Sequence, residues 1–384
     1  MQRDRAQEMK INVTREVDPD ERRCAMDPAA AQRLIKLGAE LTIESGAGTG
    51  AGLTDDAFES AGAKIDSNRD RLIREADLLL RVGRPTQDEI KQLKPAAVYL
   101  AFTDPFNDIS TLKSLNEANI SVISMEFIPR TTRAQKMDAL SSQANLAGYA
   151  AAVLAANHLP RIFPMLMTAA GTLSPARVFV IGAGVAGLQA IATARRLGAV
   201  VEAFDTRPTA TEEIKSLGAR SLRIDLGETG QTENGYARAL TEEQMAQQRT
   251  AMKRACATAD VVITAAQVFG RKAPVIVTRD ILDAMKPGSV VVDLAVDNGG
   301  NVEGVVPGQI EERGGVKIIG YRSLPGRMAA HATQVYASNL VHFIEEFWDQ
   351  ESKSLKLDLE DEIIDAALIA HAGEIRHEKL RALK

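Results

Sequence analysis

The sequence has few cysteines and few aromatic side chains. Among 384 residues there are two cysteines, Cys24 and Cys256, and aromatic residues make up 4%. Two cysteines so far apart exclude a disulfide framework and a cysteine-based zinc site, and their scarcity fits a reducing compartment. The apolar fraction of 45% and the charged fraction of 25% are those of an average globular protein. The sequence therefore predicts a fold held together by an apolar core.

The sequence also lacks a large excess of charge and a long apolar run. The formal net charge is -5, so no global positive field exists to hold nucleic acid or acidic lipid. The first ten residues are charged and lack the apolar centre of a secretory signal. The longest apolar stretch, 149–173, is interrupted by polar residues and prolines, which excludes a membrane span. We expect a soluble chain that does not bind nucleic acid.

Short β-branched runs alternate with amphipathic segments along the whole chain, which predicts an α/β fold with doubly wound parallel sheets. Helical patterns at 28–37, 87–93 and 109–118 separate the strands of the first sheet. We predict two Rossmann-like domains, 1–140 completed by 328–384 and 141–327, joined by two long crossover helices, with a nucleotide in the cleft. The crossover patterns cover 131–158 and 327–348. Strands are predicted at 10–14, 40–45, 77–82, 97–102 and 120–126, and at 177–182, 200–205, 260–266, 289–296 and 316–321.

A glycine motif follows the first strand of the second series. Gly182, Gly184 and Gly187 are spaced G-x-G-x-x-G between an apolar strand and a helical pattern, which is typical of a dinucleotide-binding turn. The next strand ends in Asp205, whose carboxylate can bind the 2'-hydroxyl of an adenosine ribose and repels a 2'-phosphate. We expect NAD(H). Because Arg207 could attract a phosphate instead, NADP stays an alternative.

The segment 129–149 carries a polar stripe made mostly of amide and hydroxyl groups. Gln135, Asp138, Ser142 and Asn145 fall three and four residues apart, which places them on one face of a predicted helix, and Ser141 borders that face. Amide and hydroxyl groups of this kind can orient a neutral ring amide. A solvated helix face is the alternative interpretation.

The sequence is short of histidine, the commonest acid–base group of a dehydrogenase, since the first 157 residues contain none. His342 lies in an apolar helical pattern, where we expect a core or surface role. The polar, glycine-rich segment 225–248 interrupts the second sheet and is either a functional loop or a solvated excursion.

Three segments carry a family resemblance: 125–149, 163–199 and 285–301. They resemble the transhydrogenase branch of the alanine dehydrogenase and NAD(P) transhydrogenase superfamily, in particular its alpha subunits. The resemblance implies the NAD(H)-binding component of a proton-translocating, Re/Si-specific enzyme, active only with partner subunits. These would be an NADP(H)-binding subunit and membrane-spanning subunits. It further implies a cytoplasmic location at the inner face of the cell membrane, as a separate subunit not fused to transmembrane helices.

The resemblance implies a homodimer as well. The apolar helical pattern that ends at Trp348 and the apolar run 363–370 are two segments that could supply its interface.

The resemblance also implies roles for individual residues. Arg130, Gln135, Asp138 and Ser141 would surround the nicotinamide and its ribose. Tyr236 resembles the tyrosine of a loop that closes over the nucleotide in this family. The remaining residues assigned to the cofactor are Gly182, Ala183, Gly184, Val185, Ala186, Gly187, Asp205, Thr206, Arg207, Ala265, Ala266 and Gln267.

Some positions depart from the family pattern. Transhydrogenases commonly have a basic residue where this chain has Ala150, and the chain has Gly83-Arg84 in place of the Lys-Glu of alanine dehydrogenases. The chain also has no histidine in the segment 97–105, where alanine dehydrogenases carry one. Arg23 matches an arginine that both branches carry, and Asp297 matches an aspartate of alanine dehydrogenases, so an alanine dehydrogenase-like oxidoreductase is one alternative. A non-catalytic NAD-binding sensor is another.

Overall fold

The computed structural model describes residues 9–224 and 241–383. In chain order the strands are β1 (Lys10–Val13), β2 (Glu40–Glu44), β3 (Lys64–Asp66), β4 (Leu78–Leu80), β5 (Val98–Ala101), β6 (Ser121–Ser124), β7 (Leu166–Thr168), β8 (Gly171–Leu173), β9 (Arg177–Ile181), β10 (Val200–Phe204), β11 (Arg220–Ser221), β12 (Val261–Thr264), β13 (Val290–Asp293), β14 (Ile310–Arg313), β15 (Val316–Ile319), β16 (Trp348–Asp349), β17 (Ser354–Leu355), β18 (Leu368–His371) and β19 (Glu374–Ile375).

The helices are α1 (Pro28–Lys36), α2 (Asp55–Ser60), α3 (Arg69–Glu75), α4 (Gln87–Gln92), α5 (Ile109–Glu117), α6 (Ala139–His158), α7 (Val185–Arg196), α8 (Ala210–Ser216), α9 (Glu242–Thr258), α10 (Arg279–Leu282), α11 (Ala329–Glu346), α12 (Glu362–Ala367) and α13 (Glu378–Arg381). Short 3-10 turns precede α6 at Gln135–Met137 and α11 at Leu324–Met328.

The chain divides into two compact units. Unit 1 consists of Met1–Gln143 and Gly326–Lys384, and unit 2 of Ala144–Pro325. The predicted boundaries lay at 140/141 and 327/328. The first boundary falls within α6, and the second falls within the 3-10 turn before α11, so that α11 lies in unit 1.

Unit 1 contains an eight-stranded sheet in the order β19-β18-β6-β5-β4-β1-β2-β3. The six neighbouring strands β6-β5-β4-β1-β2-β3 are parallel, and β18 pairs antiparallel with β6. The carboxyl-terminal residues therefore add two strands to a sheet that the amino-terminal residues begin. Starting from β1, strands are added first on one side and then on the other, which confirms the predicted doubly wound class.

Unit 2 contains a seven-stranded sheet in the order β11-β10-β9-β12-β13-β15-β14. All neighbouring pairs are parallel except β14 with β15. The strand order reverses between β9 and β12. In doubly wound sheets a ligand binds outside the carboxyl ends of the strands at this switch point.

Both sheets are buried on both faces, as parallel sheets require. In β4, Leu78 and Leu80 belong to one apolar cluster, and Leu79 belongs to the cluster on the other face. In β13, Val290 and Val292 likewise pack on one face of the unit 2 sheet and Val291 on the other. Continuous apolar runs in the sequence therefore correspond to central strands.

The prediction that the run 363–370 and the helical pattern ending at Trp348 supply a dimer interface was wrong. Ile363, Ile364, Leu368 and Ile369 are fully buried within unit 1. Trp348 is also buried, and its indole N–H donates to the carbonyl oxygen of Leu37 at 3.1 Å. These side chains form core and leave little apolar surface for a partner.

A different segment exposes apolar side chains. The hairpin of β7 and β8, with its flanking residues 164–174, is exposed along its whole length and carries no charged side chain. Met167 is 77% exposed and Met165 is 61% exposed. In the part of the chain that the structure describes, no helix is long and apolar enough to cross a membrane.

Candidate dinucleotide site

The glycine turn connects β9 to α7 at the switch point of the unit 2 sheet. Gly182 has a φ of +94°, a conformation that side chains rarely adopt. A Cβ built on Gly182 would lie 2.9 Å from the carbonyl carbon of Ala265 and the nitrogen of Ala266. The turn after β9 therefore lies directly against the loop after β12, and only glycine fits.

The third glycine lets α7 approach the strand. A Cβ on Gly187 would lie 1.8 Å from the carbonyl oxygen of Gly182, closer than any real contact. Gly187 is thus required for packing within the turn. This is the role that the spacing of the motif predicts for its last glycine.

The middle glycine stands apart, because it faces open space. Gly184 is exposed, and a Cβ built there meets no atom within 4 Å. It occupies the N-cap position of α7, without a side chain to satisfy the helix N–H groups. The first intrahelical bond is donated by the Leu188 N–H to the Gly184 oxygen at 2.8 Å, so the N–H groups of the preceding turn, from Val185 to Gly187, have no intrahelical acceptor. This arrangement can receive a phosphate.

The acidic residue after β10 contacts the same turn. The Asp205 carboxylate accepts a hydrogen bond from the Ala183 N–H at 2.8 Å. It also accepts bonds from the N–H and guanidinium of Arg207, at 2.8 Å and 3.0 Å. Burial disfavours the charged guanidinium, but Asp205 outweighs this effect and raises the pKa of Arg207. Thr206 lies between these two residues and is half-buried.

Unit 2 thus brings together the predicted residues that follow β9, β10 and β12. Gln267 is exposed, and its side-chain amide donates to the carbonyl oxygen of Leu294 at 2.7 Å. Ala183 is buried, whereas Val185 and Ala186 are half-buried in the first turn of α7. Tyr236 lies outside the described residues.

In unit 1 the predicted helix over 131–158 begins later than expected. Gln135 lies in a 3-10 turn, Asp138 has non-helical backbone angles, and α6 begins at Ala139. The physical reason is the Asp138 carboxylate, which accepts hydrogen bonds from the N–H of Ser141 at 2.9 Å and from its hydroxyl at 2.6 Å. Asp138 therefore caps the helix, as acidic N-cap residues do.

The predicted common helical face for Gln135, Asp138, Ser142 and Asn145 was therefore wrong. The Gln135 side chain is exposed, as are Arg130 and Asn145. The Ser142 hydroxyl donates to the side-chain oxygen of Asn339 in α11 at 2.7 Å, which is a packing role. Asp138 and Ser141 remain adjacent through their mutual hydrogen bonds.

Two residues that match alanine dehydrogenases have partners within their own unit. The Arg23 guanidinium donates to both carboxylate oxygens of Glu21, at 2.7 Å and 2.6 Å, and to the side-chain oxygen of Gln143 at 2.8 Å. Asp297 pairs with Arg322 in unit 2 at 3.1 Å.

The structure also shows the surroundings of two residues that depart from the family pattern, Ala150 and Arg84. Ala150 is 1% exposed, so this position of α6 is part of the interior. The Arg84 guanidinium lies 3.3 Å from the carboxylate of Asp108 and 3.9 Å from that of Asp104.

Three residues of unit 2 escaped the sequence analysis. A Cβ on Gly148 would lie 2.1 Å from the Ala186 carbonyl oxygen, so α6 packs directly on the first turn of α7. Asp293 and Asn301 are fully buried; Asp293 accepts from the Thr264 hydroxyl at the end of β12, and Asn301 binds Ala266 in the loop that follows. Asp293 ends a run of three valines at the carboxyl end of β13, which is the one sequence signal that could have identified it.

Comparisons with known proteins agree with this geometry. Residues 12–147 match the family model for the alanine dehydrogenase/PNT N-terminal domain, and 151–378 match the model for the C-terminal domain. An NAD(P) transhydrogenase alpha subunit of Rhodospirillum rubrum is 42% identical over 97% of this chain and 99% of its own length. An alanine dehydrogenase of Halomonas elongata is 30% identical over 96% of this chain and 95% of its own length.

A solved structure is similar across the whole fold. The crystal structure of transhydrogenase from Sinorhizobium meliloti has 44% identity and a TM-score of 0.85, over 95% of this chain and 99% of that one. The resemblance inferred from the motifs is thereby confirmed, and the chain belongs to the alanine dehydrogenase/PNT family.

Proposed function

We propose that this chain is the NAD(H)-binding component of a proton-translocating, Re/Si-specific NAD(P) transhydrogenase. The observation that carries the proposal is the open space at Gly184 beside the amino terminus of α7. Neighbouring backbone atoms leave no room for a side chain at Gly182 or Gly187, but at Gly184 a phosphate can approach the backbone. Similarity to the transhydrogenase alpha subunits supports the choice of reaction.

The residues of unit 2 fit a dinucleotide. Gly182, Gly184 and Gly187 would hold the pyrophosphate, with the N–H groups of Val185 and Ala186 nearby. Asp205 would accept hydrogen bonds from the adenosine ribose, as in dinucleotide-binding domains generally. The remaining residues around the dinucleotide would be Ala183, Thr206, Arg207, Ala265, Ala266 and Gln267.

The preference for NAD(H) follows from the charge at Asp205. A carboxylate repels a 2'-phosphate, and Arg207 does not reverse this because its guanidinium is already bound to that carboxylate. A 2'-phosphate would have to compete with Asp205 for Arg207. NAD(H) requires no such exchange, since its 2'-hydroxyl can donate to the carboxylate.

The reaction needs orientation and no proton transfer by this chain. Bound NADH would supply a hydride that passes directly to the nicotinamide of NADP+ on a partner subunit. We assign Arg130 to the nicotinamide carboxamide, Asp138 and Ser141 to the orientation of the ring, and Gln135 to a contact with the partner's nicotinamide ribose. The hydrogen bonds between Asp138 and Ser141 support their joint role, because they fix the two side chains relative to each other.

Tyr236 is assigned to closure over the bound nucleotide on the strength of the family resemblance alone. A Tyr236→Phe variant with unchanged NADH release and turnover would remove this assignment. Proton translocation is assigned to membrane-spanning partner subunits, with this chain bound to them peripherally on the cytoplasmic side of the membrane.

We further propose that two copies form a homodimer through the hairpin of β7 and β8. The hairpin is uncharged and exposed, although 25% of the residues in the chain are charged. A two-stranded hairpin gains little stability alone and needs to pack against another surface. Beside its base lies an apolar groove of about 860 Å³, and one chain thus presents both an apolar arm and an apolar groove. Residues lining the groove include Ala156, Leu159, Ile162, Phe163, Leu173 and Leu197.

The alanine dehydrogenase alternative is less well supported. An arginine that binds a substrate carboxylate needs a free guanidinium edge, but Arg23 already donates three hydrogen bonds from its side chain to Glu21 and Gln143. The strand β5 and its flanking residues also lack the histidine that a proton transfer would use. A non-catalytic NAD sensor would bind NADH and transfer nothing.

One experiment separates the three functions. The purified chain is mixed with an NADP(H)-loaded transhydrogenase domain, and reduction of an NAD analogue is followed by absorbance. The proposal expects turnover only in the mixture. Consumption of NADH by the chain alone with pyruvate and ammonia would support the dehydrogenase, and tight NADH binding without transfer would support the sensor.

A further inference from the structure

The loop after β12 forms one side of the glycine turn. The Ala265 N–H donates to the Ile181 carbonyl oxygen at 2.8 Å, and the Ala265–Ala266 peptide lies against Gly182. The strand order β10-β9-β12 places Asp205 on one side of this turn and Ala266 on the other. A dinucleotide with its adenosine ribose at Asp205 and its pyrophosphate at Gly184 therefore extends toward Ala266.

The position of Ala266 is set by one buried side chain. The Asn301 side-chain oxygen accepts from the Ala266 N–H at 3.0 Å, and its amide nitrogen donates to the Ala266 carbonyl oxygen at 2.8 Å. The same nitrogen donates to the Pro274 carbonyl oxygen at 2.8 Å. Asn301 thus satisfies both polar groups of Ala266, in the way that a neighbouring strand would.

Asn301 is itself fixed by the buried carboxylate of Asp293. One carboxylate oxygen accepts from the N–H groups of Asn301 and Val302, at 2.7 Å and 3.0 Å. The other accepts from the Thr264 hydroxyl at the end of β12, at 3.1 Å. Gly300 has a φ of +80°, and a Cβ there would lie 3.0 Å from the Asp293 carboxylate, so glycine is needed for this approach. A continuous series of contacts connects Asp293, Asn301, Ala266 and Gly182.

We infer that Asn301 is a positioning residue for the dinucleotide, and that it acts by holding the Ala265–Ala266 peptide against the glycine turn. The inference rests on the proposed binding of NAD(H) in unit 2. Asn301 does not itself contact the nucleotide, because it is fully buried behind Ala266. Binding of the nicotinamide half of the ligand, which lies on the Ala266 side of the glycine turn, should therefore depend on Asn301. Binding of the adenosine half, at Asp205, should not.

The variant Asn301→Asp tests this with almost no change in size. It replaces an amide that donates to two carbonyl oxygens with a carboxylate oxygen that repels them. Dissociation constants are measured for NADH and for 5'-AMP, which carries only the adenosine half. We expect NADH affinity to fall about tenfold, as for the loss of one or two net hydrogen bonds, and 5'-AMP affinity to change less than about twofold.

Asn298→Asp is the matched control. Asn298 lies in the same loop, and its amide also donates to a carbonyl oxygen, that of Arg271 at 2.8 Å, whereas the N–H and carbonyl oxygen of Ala266 are bonded to Asn301. We expect both affinities to stay at the wild-type value. If Asn301→Asp does not fold, as judged by circular dichroism, Asn301→Ser is scored by the same criterion.

Three outcomes are distinct. Wild-type chain that does not bind NADH would refute the proposed function itself. Wild-type binding with an unchanged NADH affinity in Asn301→Asp would overturn only the positioning role. An equal loss of NADH and 5'-AMP affinity would also overturn it, because a general loosening of unit 2 affects both ligands alike.

Discussion

The Arg207 guanidinium binds the Asp205 carboxylate through two hydrogen bonds, from Nε at 3.0 Å and from Nη2 at 3.2 Å. The same Nη2 atom donates to the Ala183 carbonyl oxygen at 3.0 Å, so the pair is anchored to the glycine turn. In the proposed site, charge selection at the adenosine ribose would therefore depend on the two residues together, because a change in either alters the contacts of the other.

Asp205→Asn tests this pair. The change removes the negative charge that repels a 2'-phosphate and weakens the hold on Arg207. We expect NADH affinity to fall about tenfold and the preference for NADH over NADPH to narrow by a similar factor, measured by nucleotide fluorescence titration. Asp283→Asn is the control, because Asp283 forms an ion pair with Arg313, with an N–O distance of 3.2 Å, and is not part of the glycine turn. An unchanged preference in Asp205→Asn would contradict the selection mechanism.

Gly184→Ala and Gly187→Ala should separate binding from folding. An added methyl group at Gly184 meets no protein atom, so we expect a nearly unchanged melting temperature with NADH affinity reduced at least about tenfold. At Gly187 the methyl group collides with the Gly182 carbonyl oxygen, and we expect a loss of about 2 kcal/mol or more in the free energy of unfolding. Urea denaturation and NADH titration of both variants provide the comparison. Normal NADH binding by the Gly184→Ala protein would show that the phosphate binds elsewhere.

Gln135→Asn shortens an exposed side chain that the proposal assigns to the partner's nucleotide. We expect hydride transfer in the mixed assay to slow about tenfold while NADH affinity stays unchanged, since orientation and not binding is affected. Lys136→Gln, at the exposed neighbouring position of the same 3-10 turn, is expected to leave the rate unaltered. Equal rates for Gln135→Asn and the wild type would remove Gln135 from the mechanism.

Met167→Asp places a charge on the most exposed apolar side chain of the hairpin. If the hairpin packs into the groove of a second copy, the buried charge should shift the protein from dimer to monomer, as measured by sedimentation velocity. Met245→Asp is the control, because Met245 is 49% exposed on α9 and is not part of the hairpin. A wild-type monomer, or a dimer that Met167→Asp leaves intact, would contradict the proposed homodimer.

The central strands were predictable because they are buried on both faces. Val178, Val262 and Val291 lie within continuous apolar runs, and the predicted positions of all ten strands overlap strands of the structure. The hairpin of β7 and β8 was not predicted, because its exposed apolar residues do not alternate with polar ones. Strand β18 was not predicted because the apolar run that contains it also has the composition of a helix, and β19 has only two residues.

The glycine turn was predictable in detail, since Gly182 needs its positive φ, Gly187 leaves room for the Gly182 carbonyl oxygen, and Gly184 leaves the amino terminus of α7 open. The start of α6 was predicted too early, although Asp138 is a good N-cap residue and gave a usable signal. Apolar spacing continues back through Ala134 and Met137, but the Asp138 carboxylate binds the Ser141 N–H, and the helix begins only at Ala139. Asn301 could not be predicted, because its partner Ala266 is 35 residues away along the chain and supplies only backbone atoms.

In the proposed reaction a hydride passes directly between two nucleotides, with no proton exchanged with solvent. The most direct measurement runs the mixed reaction in D2O with unlabelled NADH and NADP+, and then determines deuterium at C4 of the NADPH formed by mass spectrometry. Direct hydride transfer predicts no deuterium at C4. Deuterium incorporated at that carbon, or NADPH formation that does not require this chain, would contradict it.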